Sequence, residues 1–127
     1  MRVALDTNRY ADMCRGDLLV IDLLERADRV YVPFPVLGEL RAGFAVGSRG
    51  GDNERVLRSF LARSGVDVLL ADEETTIHYA TVYKQLREQG TPIPTNDMWI
   101  AALVLQHGLV LCARDRHFDH LVQLPRM

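Results

Sequence analysis

The stretch "PTNDMWIAALVLQHGLVLCARDRHF", residues 94–118, contains the pattern that decides the fold. An apolar run of helical period, residues 97–107, ends at Gly108, and the short apolar run "LVLCA" follows it. Glycine is favoured where a helix ends in a left-handed conformation, so the stretch predicts a helix that leads directly into a strand. Asp97 opens this helix, and Asp115 comes two residues after the predicted strand.

The same alternation of short apolar runs and helical stretches extends through the chain. Predicted strands are "RVAL" at 2–5, "RVYV" at 29–32, "VDVLL" at 66–70 and "LVLCA" at 109–113. Predicted helices cover 18–27, 36–45, 53–63, 73–88 and 97–107, and a loop covers 46–54. Gly90 is a further predicted helix end, and Thr95 and Asn96 are predicted N-caps. The pattern predicts an α/β fold, a three-layer sandwich around a central, mostly parallel sheet.

Length and composition indicate an ordinary globular protein. The chain has 127 residues, of which 48% are hydrophobic and 25% charged, so we expect one domain over residues 1–127. A net charge of −2 argues against indiscriminate binding of nucleic acid. No segment has the roughly 20 apolar residues of a membrane span, and no signal region is evident, so a cytoplasmic location is expected. Cys14 and Cys112 are expected to be buried, reduced thiols.

Four acidic residues are predicted near one edge of the sheet. Asp6 directly follows the first strand, Asp115 follows the last, and Asp97 opens the helix before that last strand. Glu39 lies about one turn into the helix after "RVYVPFP", in an apolar setting. In open parallel sheets, ligands bind outside the carboxyl ends of the strands, where the strand order reverses. These positions therefore predict a cluster of carboxylates at a ligand site.

Each acid also has a structural explanation. Asp6 could be a turn or capping residue, Asp97 could balance a helix dipole, and Asp115 could be a loop residue paired with neighbouring arginines. Glu39 is harder to explain in this way, because a charge in an apolar setting needs a partner. Together, four clustered carboxylates would repel one another, and a hard divalent cation relieves that cost. Oxygen ligands favour Mg²⁺ or Mn²⁺ over zinc.

Four motifs in this order resemble the PIN-domain ribonucleases, particularly VapC-type toxins. They are "LDTN" at 5–8, "PVLGELRAG" at 35–43, "NDMWIAA" at 96–102 and "ARDRHF" at 113–118, and the similarity covers almost the whole chain. The resemblance implies an endoribonuclease of PIN-like fold. It also implies that Asp6, Glu39, Asp97 and Asp115 are catalytic and bind one or two Mg²⁺ or Mn²⁺ ions. The expected RNA products carry 5′-phosphate and 3′-hydroxyl ends.

The resemblance extends to supporting residues. Thr7 matches a position that often has a small hydroxyl residue, and could orient a ligand or cap a helix. Asn96 could position its neighbour Asp97, although an N-cap alone is an alternative. Ala113 departs from the pattern, since many members have Ser or Thr there, and this makes a second metal ion less certain.

Arginine accounts for fourteen of the fifteen basic residues, and its planar fork suits phosphate groups. The predicted RNA-binding residues are Arg9, Arg41, Arg49, Arg114 and Arg116; pairing with the nearby acids is the alternative for each. For Trp99, a core position is favoured over stacking on a base. The four histidines raise a metal-free ribonuclease as an alternative, but only His117 is near the predicted edge.

The resemblance also implies partners. We expect an RNA substrate, a homodimer and a VapB-type antitoxin, with residues 18–24 as a candidate dimer interface and a groove near Leu37, Leu40 and Phe44 for the antitoxin. Two other functions would also suit a small α/β domain with acidic residues at its sheet edge. A phospho-receiver-like Mg²⁺-binding signalling domain would need a second acid after the first strand and a lysine after a late strand, which the sequence lacks. A catalytically inactive RNA- or partner-binding relative would gain nothing from concentrated negative charge.

Overall fold

The computed structural model describes all residues, 1–127, as a four-stranded sheet with six α-helices and a short 3₁₀ helix. The strands are β1 (Arg2–Leu5), β2 (Arg29–Pro33), β3 (Val66–Leu69) and β4 (Val110–Cys112). The α-helices are α1 (Thr7–Cys14), α2 (Leu18–Arg26), α3 (Phe34–Val46), α4 (Gly50–Leu61), α5 (Glu73–Gln89) and α6 (Thr95–His107). The 3₁₀ helix covers Arg116–His120.

The sheet is entirely parallel, in the order β3-β2-β1-β4. The chain runs from β1 outward through β2 to β3 and then returns to place β4 on the other side of β1. Strand order therefore reverses between β1 and β4, where Val3 pairs with Val110 and Leu5 with Cys112. Six helices flank this sheet, and the predicted α/β fold is confirmed.

Burial explains why the strands are short continuous apolar runs. Val3, Ala4 and Leu5 of β1 are all fully buried, as expected for a parallel strand covered on both faces. α6 is apolar around most of its circumference, and residues 100–104 are all buried. It ends at Gly108, whose left-handed φ of 61° is the conformation that the sequence predicted.

Three local features differ from what the sequence indicated. Helix α1 was not predicted, because only Tyr10 among its residues is buried and it has no apolar stripe. The predicted loop 46–54 is much shorter, since α4 begins at Gly50. Helix α6 begins at Thr95 with Pro94 as its N-cap, so Thr95 and Asn96 lie inside the first turn and cap nothing.

Two further expectations need correction. Cys14 is exposed at the end of α1, although Cys112 is buried as expected. Leu37 and Leu40 face the core of the protein and are both 7% exposed, so they cannot line an open groove with Phe44. No helix of the structure combines the length and the apolar character needed to cross a membrane.

Candidate active site

Asp6 and Asp115 lie at the carboxyl edge of neighbouring strands. Asp6 follows β1 and occupies the N-cap position of α1. Its backbone N–H donates to the carbonyl of Cys112 at the end of β4 (3.1 Å), so the β1–β4 ladder extends to the first acid. The Asp6 side chain is buried, with only 4% of the residue exposed.

Two helices bring the other acids to this edge. Asp97 lies in the first turn of α6, where burial of Met98 and Ile100 fixes which face turns inward. It is 8% exposed. Glu39 lies in α3, which starts as soon as β2 ends and buries Val36 on its core side. The Glu39 carboxylate is half-buried, and its Oε1 has no hydrogen-bond partner.

The fourth acid is joined to the third by a histidine. Asp115 is the N-cap of the 3₁₀ helix, and its Oδ1 accepts a hydrogen bond from the backbone N–H of His117 (2.9 Å). The imidazole Nδ1 of His117 lies 2.9 Å from Asp97 Oδ2 and 3.0 Å from Asp115 Oδ1. Ionised carboxylates only accept, so Nδ1 must be the donor. Ligand atoms of these three residues all lie within 4.8 Å of one another.

Burial and mutual repulsion raise the pKa values of three of the acids. Burial raises the pKa of Asp6 to about 6, against its ordinary 3.8, and repulsion from Asp97, Glu39 and Asp115 adds to the increase. Burial and then repulsion from Asp97 raise the pKa of Glu39. The pKa of Asp97 is also raised, chiefly by burial, although the His117 hydrogen bond opposes the change. The side chains are therefore close enough to form one electrostatic cluster.

Thr7 and Asn96, the two predicted supporting residues, lie in different surroundings: Thr7 is beside the acids, and Asn96 is at the surface. Thr7 follows Asp6 as the first residue of α1, and its hydroxyl lies close enough to Glu39 to oppose the rise in the pKa of that carboxyl. No hydrogen bond of ordinary geometry joins them, because Thr7 Oγ1 and Glu39 Oε1 are both buried without partners. Asn96 is exposed and lies with Glu39 on the wall of a neighbouring groove.

This neighbouring groove has a volume of about 550 Å³ and is mainly apolar. Its other walls include Phe34, Pro35 and Trp99. Trp99 is half-buried, and its ring stacks on Tyr79 of α5 at a centroid distance of 3.9 Å. Trp99 thus supports the packing of α5 on α6, but it also lines the groove and is not part of the hydrophobic core, so the favoured core position is wrong.

The five arginines predicted to bind RNA differ in whether an acidic side chain already pairs with them. Arg9 and Arg114 both donate to Asp12, Arg114 with Nε at 2.9 Å, and Arg114 is close enough to Asp6 and Asp115 to interact with them electrostatically. Arg41 is turned away to a bidentate pair with Glu54 (2.9 and 3.0 Å), and Arg49 is paired with Asp52 at 3.9 Å. Arg116 is exposed and forms no ion pair. None of the five is paired with an acid of the cluster.

His117 was expected near this edge from the sequence, but its contacts with Asp97 and Asp115 were not predicted. Its only signal was its position two residues after Asp115, in "DRHF". His78, His107 and His120 form no hydrogen bond with any of the four acids. His117 is thus the single imidazole bound to the cluster, and the metal-free mechanism with two paired imidazoles is not supported.

The sequence matches the PIN domain family over residues 3–124. It is 33% identical over 99 residues to ribonuclease VapC1 of Haemophilus influenzae strain R2866, an alignment that covers 76% of this chain and 72% of the relative. Among solved structures, VapBC-1 of nontypeable Haemophilus influenzae superposes with a TM-score of 0.88 at 26% identity, covering 100% of this chain and 97% of the other.

DNA-bound VapBC of Salmonella typhimurium has a TM-score of 0.89 at 23% identity, over 100% of this chain and 97% of that one, and shares the fold. The receiver-like interpretation is therefore wrong. The chain belongs to the PIN-domain family and is a relative of the VapC ribonucleases.

Proposed function

We propose that this chain is a Mg²⁺- or Mn²⁺-dependent endoribonuclease and the toxin of a toxin-antitoxin pair. The observation that carries the proposal is the convergence of Asp6, Glu39, Asp97 and Asp115 at the β1–β4 edge of a PIN-family fold. Membership of the family and the relationship to a VapC ribonuclease support RNA as the substrate.

The residues of the cluster fit a divalent cation. Burial first, and then repulsion between the acids, raise the pKa values of Asp6, Glu39 and Asp97, and a bound cation would offset both costs of ionising them. Glu39 Oε1 and Thr7 Oγ1 are buried oxygens without partners, and each would gain one by contact with a cation or its water. The donors are mainly carboxylate oxygens, which suit Mg²⁺ or Mn²⁺, in one or two sites. The chemistry supplied by such an ion is Lewis-acid activation of water and of the scissile phosphate.

The residues of the chain would share the remaining work. Asp6, Glu39 and Asp97 would hold the ion from three different elements, with Asp115 as the fourth ligand or as an acceptor for a water. His117 would fix the orientation of the Asp97 and Asp115 carboxylates through Nδ1. Such contacts maintain the geometry that in-line attack on a phosphodiester requires.

Arginines beside the cluster would bind the RNA backbone. Asp12 accepts hydrogen bonds from Arg9 and Arg114, which holds both guanidinium groups next to the acids without neutralising those acids. Arg116, without an ion pair, is free for a phosphate contact. Arg41 and Arg49 are engaged elsewhere and are weaker candidates.

A VapB-type antitoxin is the proposed partner, in keeping with the VapBC complexes among the structural neighbours. An apolar groove of about 790 Å³ lies between α1, α2 and α4, with Met13, Ile21, Val56 and Phe60 on its walls. This groove replaces the one predicted near Leu37 and Leu40. Leu18 and Leu19 of α2 are 80% and 83% exposed, and this exposed apolar surface supports the proposal of a dimer interface at residues 18–24.

The test measures cleavage of RNA by the purified wild-type chain in the presence of Mg²⁺ or Mn²⁺ and again after a chelator is added. The variant Asp97→Asn is measured under the same conditions with the metal ion. Glu88→Gln, which changes an exposed acid of α5, is the matched control. We expect cleavage by wild type and Glu88→Gln that leaves 5′-phosphate and 3′-hydroxyl ends, and loss of cleavage on chelation or in Asp97→Asn. No cleavage by wild type would favour the inactive relative, and cleavage that survives both treatments would contradict a carboxylate-metal site.

A further inference from the structure

Arg126 contacts the turn that carries Asp115 at several points. Its Nη2 donates to the carbonyl oxygens of Ala113 (3.2 Å) and Asp115 (3.1 Å). Its Nη1 forms an ion pair with Asp119, and its guanidinium carbon lies 5.8 Å from the centre of the Phe118 ring. One side chain therefore spans the segment from the end of β4 through the 3₁₀ helix.

The backbone around Arg126 is itself fixed to the sheet. The N–H of Leu111 donates to the carbonyl of Pro125 (2.8 Å), and the N–H of Met127 donates to the carbonyl of Leu111 (3.1 Å). Arg126 thus lies between two hydrogen bonds to β4, and its side chain is 23% exposed. The backbone that carries the Arg126 side chain is therefore held in place by β4.

Arg126 contacts the turn between β4 and the 3₁₀ helix. Regular secondary structure fixes this turn less than it fixes the segments that carry the other three acids. Glu39 and Asp97 lie inside helices, and Asp6 lies where β1 passes directly into α1. Asp115 instead lies between the end of β4 and a single short 3₁₀ helix. Ala113 has no polar side chain with which to fix this turn. Arg126 Nη2 therefore supplies two hydrogen bonds to the backbone between the end of β4 and the 3₁₀ helix.

We propose that Arg126 is a positioning residue, which sets the Asp115 carboxylate and the adjoining His117 imidazole in the acid cluster by binding the main-chain carbonyls of Ala113 and Asp115. Its effect on catalysis rests on the proposed function, but its effect on the Asp115–His117 geometry does not. Partners outside the ligand shell typically contribute about 10- to 100-fold to metal affinity or activity.

The experiment compares wild type with Arg126→Met and Arg126→Lys, and uses Asp119→Asn and Arg87→Met as controls. Asp119→Asn removes the exposed ion pair but keeps the carbonyl contacts, and Arg87→Met removes an exposed arginine of α5. Mn²⁺ binding by calorimetry, the Mn²⁺ concentration for half-maximal RNA cleavage, the KM for RNA and thermal unfolding are measured. The backbone amide resonance of His117, which donates to Asp115, is followed by NMR in metal-free protein.

We expect Arg126→Met to weaken Mn²⁺ binding and raise the half-maximal concentration about 10-fold, with the KM for RNA changed less than about twofold. Its His117 amide resonance should shift. Arg126→Lys should be intermediate, because an ammonium can donate to the carbonyls but lacks the fixed planar geometry of the guanidinium, and both controls should match wild type. Folded Arg126 variants with unchanged Mn²⁺ affinity and an unchanged His117 resonance would overturn the proposal. If wild type cleaves no RNA, the proposed function fails, and the calorimetry and NMR still decide the role of Arg126.

Discussion

Replacing Asp6 by Asn should stabilise the metal-free protein at neutral pH. The pKa of Asp6 rises from 3.8 to about 6 on folding, chiefly because the carboxylate is buried. A difference of about two pKa units corresponds to about 3 kcal/mol that ionised Asp6 costs the folded state. Asparagine removes the charge but still buries a polar amide, so we expect a gain of about 2 kcal/mol in the free energy of unfolding.

The gain should depend on pH in a defined direction. Because the folded pKa is above the unfolded one, the cost of the charge is fully present only well above pH 6. It falls as the folded protein takes up a proton, and it is absent below the unfolded value of 3.8. The stability difference between Asp6→Asn and wild type should therefore be largest near pH 7.5 and shrink towards zero near pH 4.

Urea unfolding followed by far-UV circular dichroism, with a chelator present, measures this difference, and Glu88→Gln is the control. Added Mn²⁺ should narrow or reverse it. Wild type gains about 2.7 kcal/mol when the ion is at about 100 times its Kd, and the variant has lost a ligand. A metal-free Asp6→Asn protein less stable than wild type at pH 7.5, or a gain that persists at pH 4, would refute the reasoning.

Three further outcomes are expected. Arg114→Gln should raise the KM for RNA several-fold and lower the slope of log KM against log salt concentration by about one, and an unchanged slope would remove Arg114 from the RNA interface. His117→Ala should weaken Mn²⁺ binding about 10-fold by calorimetry, whereas unchanged affinity would leave the imidazole without a role in the cluster. Val56→Glu, at a half-exposed position in the α1–α2–α4 groove, should weaken binding of a VapB-type partner at least about 10-fold and spare RNA cleavage. Ile77→Glu, at an exposed position on α5, is its control.

The positions of the acids could be predicted because they follow from the sheet. Once "RVAL" and "LVLCA" are parallel neighbours, Asp6 and Asp115 must lie at the same edge, whatever the loops do. Glu39 and Asp97 were predictable for a related reason, since each lies within about a turn and a half of the start of its helix. Errors of one or two residues in helix boundaries, such as the start of α6, do not move a side chain away from that edge.

Other features depend on contacts between distant residues. α4 starts at Gly50 despite two glycines because Leu57 and Phe60 are buried and Glu54 pairs with Arg41 and Arg58. Sequence alone favoured a loop there, because glycine is a poor helix former. Arg126 reaches Asp115 only because the last residues add to the edge of β4. No local pattern indicates such a contact.

The pairing of the arginines explains how the cluster can keep its charge beside so many basic residues. An arginine inserted among the four acids would lower their pKa values and occupy the oxygens that a cation needs. Asp12, which is not a member of the cluster, instead accepts hydrogen bonds from Arg9, Arg15 and Arg114, and Arg114 lowers its pKa. Arg9 and Arg114 are thereby paired with Asp12, and the four carboxylates of the cluster form no ion pair with an arginine. This separation of the two sets of charges is what the proposed metal-dependent cleavage of RNA would require, since the acids would bind the cation and the arginines the phosphates.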